Sequence, residues 1–582
     1  MVSTEELTLS AVKEAYASGK LTPTALCQRL VEKISASHAV FITKPRMAEV
    51  MERCKFLESL TAEQRSAMPL WGVPFAVKDN IDVAGYPTTC ACPDYSYYPD
   101  NHARVVAALL EAGGICLGKT NLDQFACGLV GTRTPYGIPS NSFDDRFTPG
   151  GSSSGSAVAV AEGMVTFALG TDTAGSGRVP AGQNGIVGIK PSLGRWSTVG
   201  VVPACYTLDC PSVFALTVED GAAIGTLLEN KDVGDPTWRQ RRTEYLSKSF
   251  ASGPKKKFRF AVPAPQYMDF SGPGGEPVRK AMEAAMVDAV KKLRSIGGEM
   301  VTDFDFGPFA ETAILLYGGA SVAERYSGIR SFLEARAPGL EPPELADLSI
   351  DQRLLKVTRS IIAKTEHWSA ADVYEGQQTL ANLRGAARRE LEKIDVLIVP
   401  TAAYNYTIRE IMAEEDEQDY GAMLSGRAMV TKNAFLGRFT NFVNLLDMCG
   451  VSVPSTVLKL GPENGAGVGS TAPPAAGKKQ RKDKNKIEPA VSTEPVPASV
   501  ADRAEHLANT GNPTATVPFG ITLLAPAWTD NYVAEIAAAY EKATGLKAGP
   551  QGHGVKPYKT IGVIRPRKSS LAVGKNHPGG AN

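Results

Sequence analysis

Three residues set the chemical question: Lys78 in PFAVKDN, Ser152 in PGGSSSGS and Ser176 in DTAGSGRVP. The serines stand 24 residues apart, and Ser152 follows the lysine by 74. Both serines lie in Gly- and Ser-rich loops, Gly150–Ser156 and Thr171–Gly177, that flank a run of small apolar residues. Glycine costs conformational entropy in a folded domain, so such loops point to an unusual turn or to backbone lying close against a ligand. A serine nucleophile needs a base. Histidine is scarce here: none of the six falls between 103 and 366, and none sits in a motif-like context. Lysine can serve instead if burial makes it neutral near pH 7. Lys78 closes an apolar strand that would carry its ammonium into the interior. Taken alone, it reads more simply as a surface lysine paired with Asp79 or Asp82; the spacing of the three contexts argues against that.

Two other motifs are decoys. GGICLGKT (113–120) fits the phosphate-loop pattern G-x-x-x-x-G-K-[ST]. That loop must follow a strand and open a helix, whereas here a helix precedes and Ile-Cys-Leu reads as a strand running through, so Lys119 is no nucleotide ligand. GSSSG (151–155) fits the nucleophile elbow G-x-S-x-G with Ser153 at its centre, but that chemistry needs a later histidine. Cys90 and Cys92 are too tightly spaced for a metal pair and have no second pair nearby.

These groups need elements to hold them. Residues 1–65 read as helices, with Leu26, Leu30 and Ile34 on one face beside Val31. From Trp71 onward short apolar strands alternate with helices: strand into loop at 71–85, helix at 105–114, strand into loop at 115–123, helix then strand at 157–172. Helices are expected over 219–230 and 275–300, buried strands at 258–263 and 395–401, and mostly helix over 309–393. This alternation predicts an α/β fold. With 582 residues, a net charge of +1, 43% hydrophobic and 21% charged residues, the composition is that of a soluble globular protein. Balanced charge gives no general pull toward nucleic acid. No run of about 18 apolar residues suggests a membrane span, and no targeting signal is evident at either end. Nine irregularly spaced cysteines point to reduced thiols in the cytoplasm. Residues 461–507 break the pattern: they are rich in Gly, Pro, Ala and Ser and contain the basic GKKQRKDKNK. They read as a disordered low-complexity insertion within a domain that spans 1–460 and resumes with a strand and helix over 508–546. A loosely ordered tail is expected over 547–582.

In these contexts and spacings the sequence strongly resembles the amidase signature family, densely over 71–220 and more weakly over most of 1–460 and 515–545. The resemblance implies a large, mixed, mostly parallel twisted sheet surrounded by helices, and a cis Gly151–Ser152 peptide. It implies that Ser176 attacks a carbonyl, that Ser152 relays the proton, and that Lys78 is the base. The amides of Thr173, Ala174, Gly175 and Ser176 would form the oxyanion nest. Ser153 and Ser154 would support the loop, and Asp172 and Arg178 would form a structural ion pair.

Within the family, NLDQFACGLVGTRTPYG (121–137), GTDTAGSGRVPA (170–181) and GVVPACYTLDC (200–210) look like the allophanate hydrolase subgroup. That resemblance implies hydrolysis of the terminal amide of allophanate, with Gly128 offering backbone contact and Tyr317 and Arg325 binding the substrate carboxylate. Eight residues apart, the last two could share one helix face. No metal and no organic cofactor is implied. A separate urea carboxylase is the expected functional partner, the chain is expected to form a homodimer, and no C-terminal decarboxylase-type domain is evident. The alternatives within the family are another amidase and the glutaminase subunit of a tRNA-dependent amidotransferase.

Overall fold

The strands that carry Lys78 and lead into the Ser176 turn lie side by side. In the computed structural model, strand β2 (Pro74–Lys78) pairs in parallel with β4 (Phe167–Asp172), placing Phe75 opposite Phe167 and Val77 opposite Leu169. The two phenyl rings stack with centroids 5.3 Å apart. Both strands are buried along their whole length. Parallel neighbours end at the same edge, so Lys78 and the loop after Asp172 emerge together, at the carboxyl ends where α/β sheets place their sites.

The structure describes residues 7–240, 257–270, 275–335, 351–417, 431–460 and 515–550. The insertion expected at 461–507 and nearly all of the tail expected at 547–582 lie outside the described residues.

Eleven strands form one sheet, in the order β1-β3-β2-β4-β6-β5-β10-β11-β9-β7-β8. The others are β1 (Phe41–Thr43), β3 (Ile115–Thr120), β5 (Val187–Lys190), β6 (Cys210–Ala215), β7 (Phe258–Ala261), β8 (Gly298–Met300), β9 (Val396–Pro400), β10 (Met448–Leu460) and β11 (Ala515–Pro526). The sheet is mixed, as expected, but not mostly parallel: four adjacent pairs run parallel and six antiparallel. The antiparallel excess lies in the middle of the sheet, where β6, β5, β10, β11 and β9 follow one another. β10 and β11 are the longest pair, running from Met448 opposite Pro526 to Leu460 opposite Ala515 with one register shift between Pro454 and Thr456. One sheet thus joins chain from both sides of the 461–507 stretch.

The helices pack on this sheet by the faces their sequences provide. In the helix Pro23–Ala36, Leu26, Leu30, Val31 and Ile34 are all buried, and Thr22 caps its start by accepting the Ala25 amide. The helix Ser154–Ala161 is buried on every side. Its small residues permit close approach: a Cβ on Gly155 would fall 2.2 Å from the Val40 carbonyl oxygen. This close seat fixes the loop that begins with Ser152.

Candidate functional site

Lys78 is fully buried at the end of β2. Its Nζ donates to Ser152 Oγ and to Thr171 Oγ1, each at 2.8 Å. Asn80 Nδ2 also donates to Thr171 Oγ1, at 3.3 Å. Asp79 and Asp82, the partners of a surface lysine, are engaged elsewhere. Asp79 accepts from the amides and hydroxyl of the Thr89–Cys90 segment, and Asp82 accepts from Thr88 and Tyr97. Burial therefore dominates and draws the Lys78 pKa down to about 7, against the opposing pull of Asp123, Asp209 and Asp172. A neutral amine at this position can accept a proton from Ser152.

Ser152 follows the cis Gly151–Ser152 peptide. A Cβ on Gly151 would lie 2.0 Å from Asp123 Oδ2, so only glycine fits between the loop and that carboxylate. Asp123 orders the surroundings: its oxygens accept the Gly131 and Arg133 amides at 3.0 Å, and its own amide donates to the Ser152 carbonyl. Ser153 Oγ donates to the Thr171 carbonyl and Ser154 Oγ to that of Asn121, so both serines brace the loop.

Ser176 sits in the turn between β4 and the helix Val179–Gln183 and is 2% exposed. Among the described residues its Oγ has no hydrogen-bond partner, and no hydrogen bond joins it to Ser152. The turn is tied by Asp172, which is fully buried with Arg178 in a two-pronged ion pair at 2.9 Å on each arm. Arg178 in turn donates to Asn444 Oδ1 and the Thr440 carbonyl. Asp172 also accepts the Gly175 and Gly177 amides at 3.0 Å. This corrects the expected oxyanion nest: the Gly175 amide is engaged with Asp172, because the turn folds back on its own carboxylate. The amides of Thr173, Ala174 and Ser176 have no acceptor among the described residues. The Gly175 carbonyl accepts from Arg178 and Val179, so the Ser176 N–H, on the same planar peptide, points the opposite way. Gly175 itself has φ +124°, and a Cβ there would meet Thr440 Oγ1 at 2.4 Å.

Tyr317 and Arg325 do meet, but not along one helix. Tyr317 ends the helix Gly307–Gly318 and Arg325 begins the helix Ala323–Glu334, with extended Gly319 and a short 3-10 turn between. Arg325 Nη2 donates to Tyr317 Oη at 2.9 Å, and the guanidinium lies over the Tyr317 ring at 4.9 Å. Its Nη1 lies 3.5 Å from the Ala126 carbonyl oxygen and 3.5 Å from Cys127 Sγ. Arg325 is 2% exposed, its buried Nε has no partner, and no carboxylate forms an ion pair with it among the described residues. A buried cation so placed is poised for an anionic ligand. Gly128 follows directly and packs on Asp123, which a Cβ would approach to 2.5 Å.

Sequence reasoning missed Thr171, Asn80, Asp123 and Asp209. Thr171 stands one residue before Asp172 and Asn80 two after Lys78, so their places inside the quoted motifs were the available signal. Asp209 is buried, and burial lifts its pKa to about 6 against hydrogen bonds from Thr173 and the Ala204 and Cys205 amides. It also lines a surface cleft of about 280 Å³ with Val201, Tyr206 and Thr237. The decoys resolve as strand and support. Lys119 is buried in β3, donating to Thr88 Oγ1 at 3.1 Å and to the Pro87 carbonyl at 3.2 Å. Among the described residues no group of three His, Cys, Asp or Glu side chains could hold a metal ion, and no helix is long and apolar enough to cross a membrane.

The chain is similar in sequence and fold to known proteins. The family described as Amidase matches residues 25–533. The urea amidolyase of Saccharomyces cerevisiae is 40% identical over 69% of this chain, which spans about a fifth (20%) of that protein's length. A solved structure of Kluyveromyces lactis allophanate hydrolase superposes with a TM-score of 0.70 at 32% identity, covering 92% of this chain and 72% of that one. A glutamyl-tRNA(Gln) amidotransferase subunit from Acidobacterium capsulatum is 32% identical over 69% of this chain and 82% of its own length.

Proposed function

Since the chain belongs to the amidase family, we propose that it hydrolyses the terminal amide of allophanate, with Ser176 as nucleophile, Ser152 as relay and Lys78 as base. The observation that carries the substrate is Arg325: a buried guanidinium with an unpartnered Nε and, among the described residues, no carboxylate of its own. Allophanate is urea bearing a carboxylate on one nitrogen, and a guanidinium can grip that group with two parallel hydrogen bonds. Tyr317 orients the guanidinium, and the Ala126 carbonyl and the Cys127 thiol form the adjoining wall. The likeness to the urea amidolyase and the allophanate hydrolase supports the same substrate.

The steps balance with protein groups and one water molecule. Ser176 Oγ bonds to the terminal amide carbon as its proton passes to Ser152 Oγ, while the Ser152 proton passes to neutral Lys78. The oxyanion is met by the Thr173, Ala174 and Ser176 amides. The C–N bond breaks, and the proton returns through Ser152 to the departing ammonia. Water then attacks the acyl-enzyme by the same relay, releasing N-carboxycarbamate, which breaks down to ammonia and carbon dioxide. The Ser152–Ser176 hydrogen bond closes in the substrate complex, as such catalytic contacts commonly do.

The reading includes a separate urea carboxylase that supplies allophanate, a homodimer, and a cytoplasmic location, the last supported by nine free cysteines. Ammonia release from allophanate tests the reaction: wild type should be active, Ser176→Ala inert, and Arg325→Ala weakened mainly in KM. Wild type inert on allophanate but active on propionamide would sink the substrate assignment. The amidotransferase relative favours a second reading, glutaminase, and ammonia release from glutamine in place of allophanate would support it.

A further inference from the structure

The turn that carries Ser176 is anchored at both ends by carboxylates. Asp172 holds the far end through the Gly175 and Gly177 amides. Asp209 holds the near end: Thr173 Oγ1 donates to Asp209 Oδ1. The other oxygen, Oδ2, accepts the Ala204 and Cys205 amides at 2.7 and 3.0 Å. The three amides that lack acceptors lie between these anchors. We infer that Asp209 is a positioning residue for amide hydrolysis, fixing through the Thr173 hydroxyl the direction in which the Thr173–Ser176 amides meet the developing oxyanion. The inference rests on the hydrolase reading above.

The division of labour in this carboxylate is the first argument. Clasping the Ala204–Cys205 segment uses one oxygen, yet Asp209 is buried as a full carboxylate, with no Lys, Arg or His in ion-pair contact among the described residues. Such burial is costly unless every acceptor is used, and the second oxygen is used on the catalytic turn. A charged acceptor also gives a stronger bond than a neutral one.

The second argument is the geometry of the Asp172–Thr173 peptide. Its carbonyl accepts Asn444 Nδ2 at 2.8 Å and Cys210 Sγ at 3.3 Å. In a planar trans peptide the Thr173 N–H then points away from Asn444. Asp209 grips the Thr173 side chain and stops the following peptide from rotating out of line. A negative charge beside an oxyanion site opposes the reaction by Coulomb's law, so Asp209 acts by position and not by charge stabilisation. The same segment reaches the carboxylate-binding helix, since the Thr207 amide and hydroxyl donate to Glu324 at 2.7 and 3.0 Å, one residue before Arg325.

The test uses Thr173→Val, which removes the hydroxyl at nearly constant shape, Thr173→Ser, which keeps it, and Asp209→Asn. The readouts are kcat and KM on allophanate and on propionamide, the rate at which a fluorophosphonate labels Ser176, and the unfolding midpoint. Thr173→Val and Asp209→Asn should lower kcat and labelling about ten- to a hundredfold, with KM and midpoint little changed. Thr173→Ser should stay within about threefold of wild type, and the Thr173→Val/Asp209→Asn double variant should be no worse than the worse single one. The inference is overturned if Thr173→Val labels and turns over like wild type, if Thr173→Ser falls as far as Thr173→Val, or if the two losses add in full. Wild type inert on allophanate but active on propionamide sinks the substrate reading alone, because propionamide turnover and labelling still decide this one. Wild type that neither labels nor cleaves sinks both.

Discussion

Lys78 Nζ and Ser152 Oγ are joined by a 2.8 Å hydrogen bond in a fully buried setting, with no carboxylate in ion-pair contact with the lysine among the described residues. This relationship has a cost in stability. The folded Lys78 has a pKa of about 7, against about 10.4 in an unfolded chain. Between those values the unfolded state binds the extra proton, so stability rises with pH across the window. Raising the pH from 7 to 9 should add about 2 kcal/mol of unfolding free energy in wild type relative to Lys78→Met. Urea unfolding of both proteins at the two pH values measures the difference. Parallel behaviour would show that the lysine is not neutral inside the fold.

The same titration governs the rate. Activity needs the neutral amine, so kcat/KM should rise with pH through an apparent pKa near 7 and level off above it. Lys78→Met should lose at least about a thousandfold in kcat/KM at every pH, since among the described residues neither serine has another base within reach. A wild-type profile that stays flat from pH 6 to 9 would remove Lys78 from the mechanism.

Arg325 should show the opposite signs in binding and in stability. Arg325→Met removes the grip on a substrate carboxylate and should raise the KM for allophanate by about 2–4 kcal/mol equivalent, thirtyfold or more. KM for uncharged propionamide should hardly move. The free protein should gain about 1–3 kcal/mol of stability, because a buried cation without an anion is replaced by an apolar chain of similar length. Steady-state kinetics on the two amides and an unfolding curve read all three effects. Equal KM losses on both amides would mean that Arg325 shapes the pocket without binding a carboxylate.

Much of this site is legible in the sequence because it is local. PFAVKDN announces a buried strand ending in a lysine, and GTDTAGSGRVP announces a strand running into a strained turn with its own ion pair. The buried strand through Lys119 is legible for the same reason. What is not legible depends on how distant segments meet. Sheet direction follows from strand order, and β5, β6 and the long β10 do not stand out in the sequence. Spacing alone suggests that Tyr317 and Arg325 share a helix; the Gly318–Gly319 break redirects the chain, and the two side chains still meet through tertiary packing. A nest of amides is visible in sequence, so the Gly175 amide reads as an oxyanion donor, whereas the carboxylate that captures it is visible only in space. Asp209 lies 36 residues from Thr173, and nothing in its own motif names that partner.

Asp172 and Arg178 allow the turn's stability and its function to be separated. Both are fully buried and joined by two hydrogen bonds, while Arg178 Nη1 has no acceptor among the described residues. Removing one charge strands the other, so Arg178→Met and Asp172→Asn should each cost about 3–5 kcal/mol. The double variant Asp172→Asn/Arg178→Met leaves no stranded charge and should recover a large part of that loss. Activity should follow a different order. Asp172 also holds the Gly175 and Gly177 amides on either side of Ser176, and an asparagine can accept those two amides with only one oxygen. The double variant should therefore fold with a near-normal midpoint yet keep kcat at least about tenfold below wild type. Full recovery of kcat alongside stability would show that the pair only supports the fold and that the Ser176 turn keeps its shape without Asp172.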